Sequence, residues 1–146
     1  MEELIKLECY NEVFNLVMNL EKFTIKNKAP NESGIYFLFK KNVVTYIGIS
    51  QNINDRILGS RGHIFEKDFD YFAFIQINKC NRDLEKIEYS LISFFNPMDN
   101  SSNRGFDLHK FLPLDYKEIR DAKAWKRARE NAELFVMYAQ KAGLWS

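Results

Sequence analysis

Glu88 is the residue whose type and position are hardest to explain by folding alone. Residues 82–95 have the apolar spacing of an amphipathic helix, and Glu88 lies within the apolar stripe, four residues after Leu84 and four before Ile92. Removing a carboxylate from water there costs several kcal/mol unless it is paired, protonated or bound to a metal ion. Glu88 therefore has two interpretations. It lies at the border of the stripe, where its carboxylate contacts water or an arginine side chain, or it is a buried carboxylate with a chemical role.

Five other side chains can do chemistry but also have ordinary structural interpretations. Tyr36 and Tyr46 lie in β-like runs, where tyrosine is common, and Arg56 on its own is a surface arginine. His63 is typical of a loop histidine, and Asn100 of a turn residue. Since each residue alone favours the ordinary interpretation, a functional hypothesis must rest on their order and spacing together.

The spacing of apolar residues and helix breakers predicts the elements that must position these side chains. An amphipathic helix is predicted over 2–23, followed by a connector over 26–33 that contains Pro and Asn. The sequence then predicts hairpin strands over 34–39 and 43–48 and a helix near 52–60 that is capped by Ser50 or Asn52. A central strand over 71–77 and a helix over 82–95 follow. A loop over 101–113 leads to a helix over 114–142, with Gly143 as its stop signal.

The turn of the predicted hairpin decides whether the two tyrosines share a face of the sheet. A two-residue turn at 41–42 pairs residue 36 with residue 47 and sends the tyrosines to opposite faces. A loop of odd length, such as 41–43, pairs residue 38 with residue 46 and brings both tyrosines to one face.

Length and composition are those of one globular domain. The chain has 146 residues, of which 46% are hydrophobic and 28% are charged, and this excludes collagen-like or wholly disordered chains. The expected fold is α+β: a small three-stranded mixed or antiparallel sheet flanked by helices. We expect a core over 33–103, an N-terminal helical extension over 1–25 and a C-terminal helical extension over 104–146.

Features of the chain ends and of the cysteines suggest a cytoplasmic location. No apolar run approaches the ~20 residues of a spanning helix, so no membrane partner is expected. The acidic start Met1-Glu2-Glu3 argues against a secretory signal or transit peptide. Cys9 and Cys80 have no metal-ligand spacing and are expected to be structural, as is His109.

The two tripeptides of the hairpin, Gly34-Ile35-Tyr36 and Tyr46-Ile47-Gly48, resemble the two signature tripeptides of the GIY-YIG nuclease superfamily. The resemblance continues in order: Arg56 lies ten residues after Tyr46, where the family has its arginine, and Glu88 lies on the later helix, where the family has its metal-binding glutamate. The segment 96–100 resembles the family's terminal pattern, in which an asparagine follows proline by three residues. The resemblance covers roughly residues 33–103.

This resemblance implies an endonuclease that hydrolyses DNA phosphodiester bonds by in-line attack of water with one metal ion, leaving 5′-phosphate and 3′-hydroxyl ends. Glu88 would bind Mg²⁺ or Mn²⁺, and Arg56 would bind phosphate through its planar fork. Tyr36 would act as general base or proton relay, provided that nearby positive charge lowers the pKa of its phenol. Tyr46 would position water or phosphate, and Asn100 would orient Glu88 or close the site.

Two departures from the family pattern keep other functions open. Ile49 stands where many members have lysine, and Ser60 stands where the family often has tyrosine or histidine. Either His63, three residues further on, supplies the missing group from a shifted loop, or the step proceeds without it. The alternatives are a catalytically impaired nucleic-acid-binding or assembly module, and a nuclease subunit that needs a partner for target recognition.

The C-terminal extension carries a basic stripe. Arg120, Lys123 and Arg127 share one face of the predicted helix, which is either a phosphate-binding surface or a solvated face. With 21 Lys and Arg against 20 Asp and Glu, the chain is nearly neutral, which predicts weak DNA affinity by itself. DNA is the expected partner, RNA is not excluded, and a homodimer or a partner protein is compatible with this balance.

Overall fold

The computed structural model describes residues 12–77, 81–95, 97–100 and 133–143, without the side chains of residues 81, 82, 93 and 94. The described elements, in chain order, are helix α1 (12–18), strands β1 (Gly34–Lys40) and β2 (Val43–Ser50), helix α2 (Ile53–Leu58), a 3₁₀ helix (His63–Phe65), strand β3 (Tyr71–Gln76), and helices α3 (Asn81–Phe95) and α4 (133–141). The predicted α+β class is confirmed in this part of the chain.

The three strands form one antiparallel sheet in the order β2-β1-β3. The expectation that residues 71–77 form the central strand is wrong, because β1 is central and β3 lies at an edge. A strand between two neighbours is buried on both faces, and residues 34–39 of β1 are all buried. The apolar run in β3 has a different cause: Phe72 bonds to Phe23 through a β-bridge, so the chain before the sheet covers this edge.

The hairpin puts both tyrosines on one face of the sheet without a loop of odd length. Its turn has two residues, Lys41 and Asn42, both with the positive φ angles that such tight turns require. A β-bulge between Leu38 and Phe39 then shifts the pairing, so Leu38 pairs with Tyr46. The extra residue is Thr45, and its hydroxyl donates to the Leu38 carbonyl at 3.3 Å.

The two faces of the sheet carry separate cores. One face packs against α3, α1 and α4, with Val17, Phe37, Leu91 and Phe135 among its buried residues. The other face packs against α2 and contains Tyr36 in its buried cluster. Since neighbouring residues on a strand point to opposite faces, the bulge puts both tyrosines on the α2 face.

The ends of α2 and α4 agree with the sequence, but the predicted helix over 2–23 is wrong beyond residue 18, because Phe23 instead pairs with Phe72 of β3. Asn52 caps α2 by accepting a hydrogen bond from the Asp55 backbone N–H at 3.0 Å. Gly143 follows α4 with a φ of 77°, the left-handed conformation that ends many helices. No helix in the described ranges is long and apolar enough to cross a membrane.

Candidate active site

Four sequence-predicted residues meet on the α2 face of the sheet. The ring centroids of Tyr36 and Tyr46 lie 6.0 Å apart, and the His63 ring lies 5.5 Å from Tyr36 and 4.7 Å from Tyr46. Arg56 of α2 is exposed, and its guanidinium is close enough to interact electrostatically with both phenols. We call these four residues the tyrosine–histidine cluster.

His63 links Tyr36 to a carboxylate that the sequence did not single out. The Tyr36 hydroxyl lies 2.6 Å from His63 Nε2, and His63 Nδ1 lies 3.1 Å from Glu66 Oε1. A carboxylate only accepts hydrogen bonds, so the proton of the neutral ring lies on Nδ1. Nε2 is then the acceptor, and the Tyr36 hydroxyl donates to it.

Burial sets the protonation states of this pair. It raises the pKa of Tyr36 well above the ordinary value, an electrostatic contribution from Tyr46 adds to the rise, and the Arg56 charge opposes it in part. Burial, followed by the charges of Arg56 and Lys67, lowers the pKa of His63 to about 4. Both groups are therefore neutral at pH 7. The lowered phenol pKa that was expected of Tyr36, as general base or as proton relay, is wrong, because burial raises this pKa instead. Tyr36 can still relay a proton by passing its own to His63, because no free phenolate then forms.

Packing explains why position 48 is occupied by glycine, which the sequence alone did not reveal. A Cβ built at this position would overlap the Tyr36 hydroxyl and lie 2.5 Å from its Cζ and 2.9 Å from Tyr46 Cε2. The glycine of the second tripeptide thus gives the Tyr36 ring its space on the sheet.

Lys67 is a second cation at this cluster and was also missed. Its Nζ lies 4.5 Å from the Tyr46 ring centroid and 3.5 Å from the Asp99 carbonyl oxygen. The sequence held one signal for this grouping, the spacing of the residues. Glu66 and Lys67 follow His63 by three and four residues, and this spacing brings side chains together only if the segment forms a helical turn. The 3₁₀ helix supplies that turn.

Glu88 is buried within the α3 stripe, with 6% of its surface exposed. It lines an open cleft of about 280 Å³ together with Ile49, Glu85 and Tyr89. Because α3 packs against the opposite face of the sheet, this cleft is separate from the tyrosine–histidine cluster. The two groups adjoin the same edge strand, since Gly48 faces the tyrosines and the next residue, Ile49, faces the cleft.

The carboxylates of this cleft are of a kind that suits a hard cation. Glu85 and Glu88 lie one turn apart on α3, and carboxylate oxygens with several retained waters are the usual ligands of Mg²⁺. Among the described residues, no three His, Cys, Asp or Glu side chains gather as a metal-binding group. Any cation here would therefore be held by one or two carboxylates, with water or substrate oxygens as the remaining ligands.

Asn100 binds the outer edge of β2. Its Oδ1 accepts from the Ile47 backbone N–H at 3.1 Å, and its Nδ2 donates to the Ile47 carbonyl at 2.9 Å. The Asp99 backbone N–H donates to the Thr45 carbonyl at 2.8 Å. Asn100 thus fixes the strand segment next to Tyr46.

The basic stripe of Arg120, Lys123 and Arg127 lies outside the described residues, as do His109, Cys9 and Cys80. A scan against models of known protein families finds no match, and searches of curated proteins and of solved structures find none either.

Proposed function

We propose that the chain is a metal-dependent endonuclease of the GIY-YIG type that hydrolyses DNA phosphodiester bonds. The observation that carries this proposal is the convergence of two phenols, an imidazole and a guanidinium on one face of the sheet. The four side chains come from two strands, a helix and a 3₁₀ helix. A set of proton-transfer groups beside a fixed positive charge is suited to an anionic substrate that water must attack.

Two cations flank Tyr46 and provide the attraction for a phosphate. Arg56 offers paired N–H donors that match two phosphate oxygens, and Lys67 adds a point charge over the Tyr46 ring. Tyr46 is only partly buried, so its hydroxyl is the member of the phenol pair that solvent and substrate reach first.

The pair formed by Tyr36 and His63 provides a proton acceptor. Water attacks phosphorus, the bond from phosphorus to the leaving 3′-oxygen breaks, and the departing oxygen takes a proton from solvent. The proton lost by the water passes through the partly exposed Tyr46 to the buried Tyr36, while Tyr36 gives its own proton to His63 Nε2. Because Tyr36 donates to Nε2 at 2.6 Å, the hydrogen bond for this transfer already exists.

Glu88 would hold the metal ion, with water and phosphate oxygens as the remaining ligands. When bound, a divalent cation would neutralise charge at the phosphate and would make the attacking water more acidic. We propose that the scissile phosphate lies across the edge strand β2, because among the described strands it is β2 that borders both the cleft and the tyrosine–histidine cluster.

The test is cleavage of supercoiled plasmid, linear and branched duplexes, single-stranded DNA and RNA by the purified chain, with Mg²⁺ or Mn²⁺ and with EDTA. We expect metal-dependent cutting that Tyr36→Phe slows by about 100-fold, within the usual contribution of a proton-transfer group. Tyr71→Phe is the matched control, because Tyr71 is an exposed strand tyrosine. No metal-dependent cutting of any substrate, or equal rates for Tyr36→Phe and the parent, would contradict the proposal.

A binding or assembly module on the same scaffold is the second candidate function. It is favoured by the complete burial of Tyr36 and His63, which keeps both groups from direct contact with a substrate in this conformation. Binding of DNA by the purified chain without cutting, in every metal and with every substrate form, identifies this alternative. Cutting only after a second protein is added identifies a partner-dependent nuclease subunit.

A further inference from the structure

Glu66 closes a hydrogen-bonded chain that begins at Tyr36. The residue directly follows the 3₁₀ helix, and its backbone N–H donates to the His63 carbonyl at 3.1 Å. Its side chain folds back so that Oε1 reaches His63 Nδ1 at 3.1 Å. The His63 ring is 1% exposed and the Glu66 side chain 56% exposed, so the carboxylate meets a buried ring from the solvent side.

We propose that Glu66 is a positioning residue: it fixes the Nδ1–H tautomer of His63, keeps Nε2 free to accept from Tyr36, and stabilises the imidazolium that forms during turnover. The catalytic part of this proposal rests on the proposed nuclease function. The tautomer part rests only on the geometry of the three side chains.

The proton count supports this role. Before reaction Nδ1 carries the only ring proton of His63, and Nε2 has a lone pair directed at the Tyr36 hydroxyl. Transfer from Tyr36 puts a second proton on the ring and gives it a positive charge. After product leaves, Nε2 returns that proton to Tyr36, which passes a proton to solvent through Tyr46. His63 keeps its Nδ1–H, which donates to Glu66 throughout, so the starting tautomer is restored.

The charges around His63 explain why a carboxylate is needed. Arg56 and Lys67 both disfavour the imidazolium, and burial disfavours it further. Glu66 acts in the opposite direction, through its hydrogen bond and its charge. Among the described residues, the titratable side chains of Tyr36 and Tyr46 also face the ring.

The test is ¹⁵N NMR of the imidazole nitrogens, which report the tautomer and the pKa without any cleavage assay. The chain has two histidines, so the spectrum of a His109→Gln background contains His63 alone. We expect Nδ1 protonated and Nε2 unprotonated at pH 7. Glu66→Ala should mix the two tautomers and lower the pKa of His63, whereas Glu66→Gln should keep the tautomer, since its carbonyl oxygen still accepts, but lower the pKa.

Asp68→Ala is the matched control, because it removes an exposed carboxylate two residues away whose partner is Lys40. It should leave the His63 tautomer unchanged. In the cleavage assay, Glu66→Ala should lower kcat about tenfold with little change in KM, and Glu66→Gln should recover part of the loss. An Nε2–H tautomer in the parent, or a tautomer unaffected by Glu66→Ala, would overturn the proposal. If the tautomer behaves as expected but the parent cuts nothing, the nuclease function fails and the positioning of His63 stands.

Discussion

Replacing Gly48 by alanine should disturb the tyrosine–histidine cluster more than any exposed substitution. The added Cβ overlaps the Tyr36 hydroxyl, and Tyr36 has no open space to move into, since it is fully buried and Tyr46 packs against its cluster. The ring must tilt away, which stretches the 2.6 Å hydrogen bond between Tyr36 and His63.

Two costs set the size of the effect. Overpacking a well-filled region costs about 1–3 kcal/mol, and leaving the buried Nε2 of His63 without its partner costs about 1–3 kcal/mol. Because the ring shift relieves part of the overlap, we expect a loss of about 2–4 kcal/mol in the free energy of unfolding, or a Tm lower by about 6–12 °C for a chain of this size.

Urea unfolding of the parent, Gly48→Ala and Val43→Ala measures this loss. Val43 lies on the same strand and is 57% exposed, so Val43→Ala should stay within about 0.5 kcal/mol of the parent. Combining Gly48→Ala with Tyr36→Phe should cost less than the sum of the single variants, because the hydroxyl that the Cβ overlaps is gone. A Gly48→Ala variant as stable as the parent would refute the packing argument.

Three further predictions concern protons and charge. Because burial lowers the pKa of His63 to about 4, the unfolded chain binds the extra proton first as the pH falls, so about 2–3 kcal/mol of stability present above pH 6.5 is lost towards pH 4. Urea unfolding at each pH should show this loss in the parent and not in His63→Gln, and parallel curves would contradict it. Arg56→Lys should weaken DNA cleavage at least tenfold, because the paired donors are lost, whereas Lys28→Arg should not change the rate. Lys67→Met should raise KM more than it lowers kcat, and steady-state kinetics that show the reverse would contradict its role as a phosphate contact.

The sequence predicted most described elements because their local signals agree. The alternation of apolar residues in β1 and β2, the cap at Asn52 and the stripe of α3 each depend on neighbours along the chain. The predicted central position of β3 was wrong. A strand rich in apolar residues is expected in the centre of a sheet. The β-bridge through which Phe23 protects this edge joins residues far apart in the sequence, so no local pattern reveals it.

The register of the hairpin shows a second limit of sequence reasoning. Turn length alone gives opposite faces for a two-residue turn, and the bulge at Thr45 that corrects this has no local signal. The same holds for the contacts of His63, since its partners Tyr36 and Glu66 meet only after the sheet and the 3₁₀ helix have formed. The raised pKa of Tyr36 also depends on burial, which the alternation of a strand does not quantify.

The most direct test of the account compares two carboxylates that line the same cleft. Glu88 is buried within the stripe of α3 and Glu85 is exposed one turn earlier, so Glu88→Gln and Glu85→Gln remove the same charge three residues apart. With Mg²⁺ or Mn²⁺, we expect Glu88→Gln to abolish plasmid cleavage while circular dichroism shows an intact fold, and Glu85→Gln to retain most of the activity. If Glu88→Gln cuts DNA as fast as the parent, Glu88 does not hold the metal ion and the proposed site is wrong.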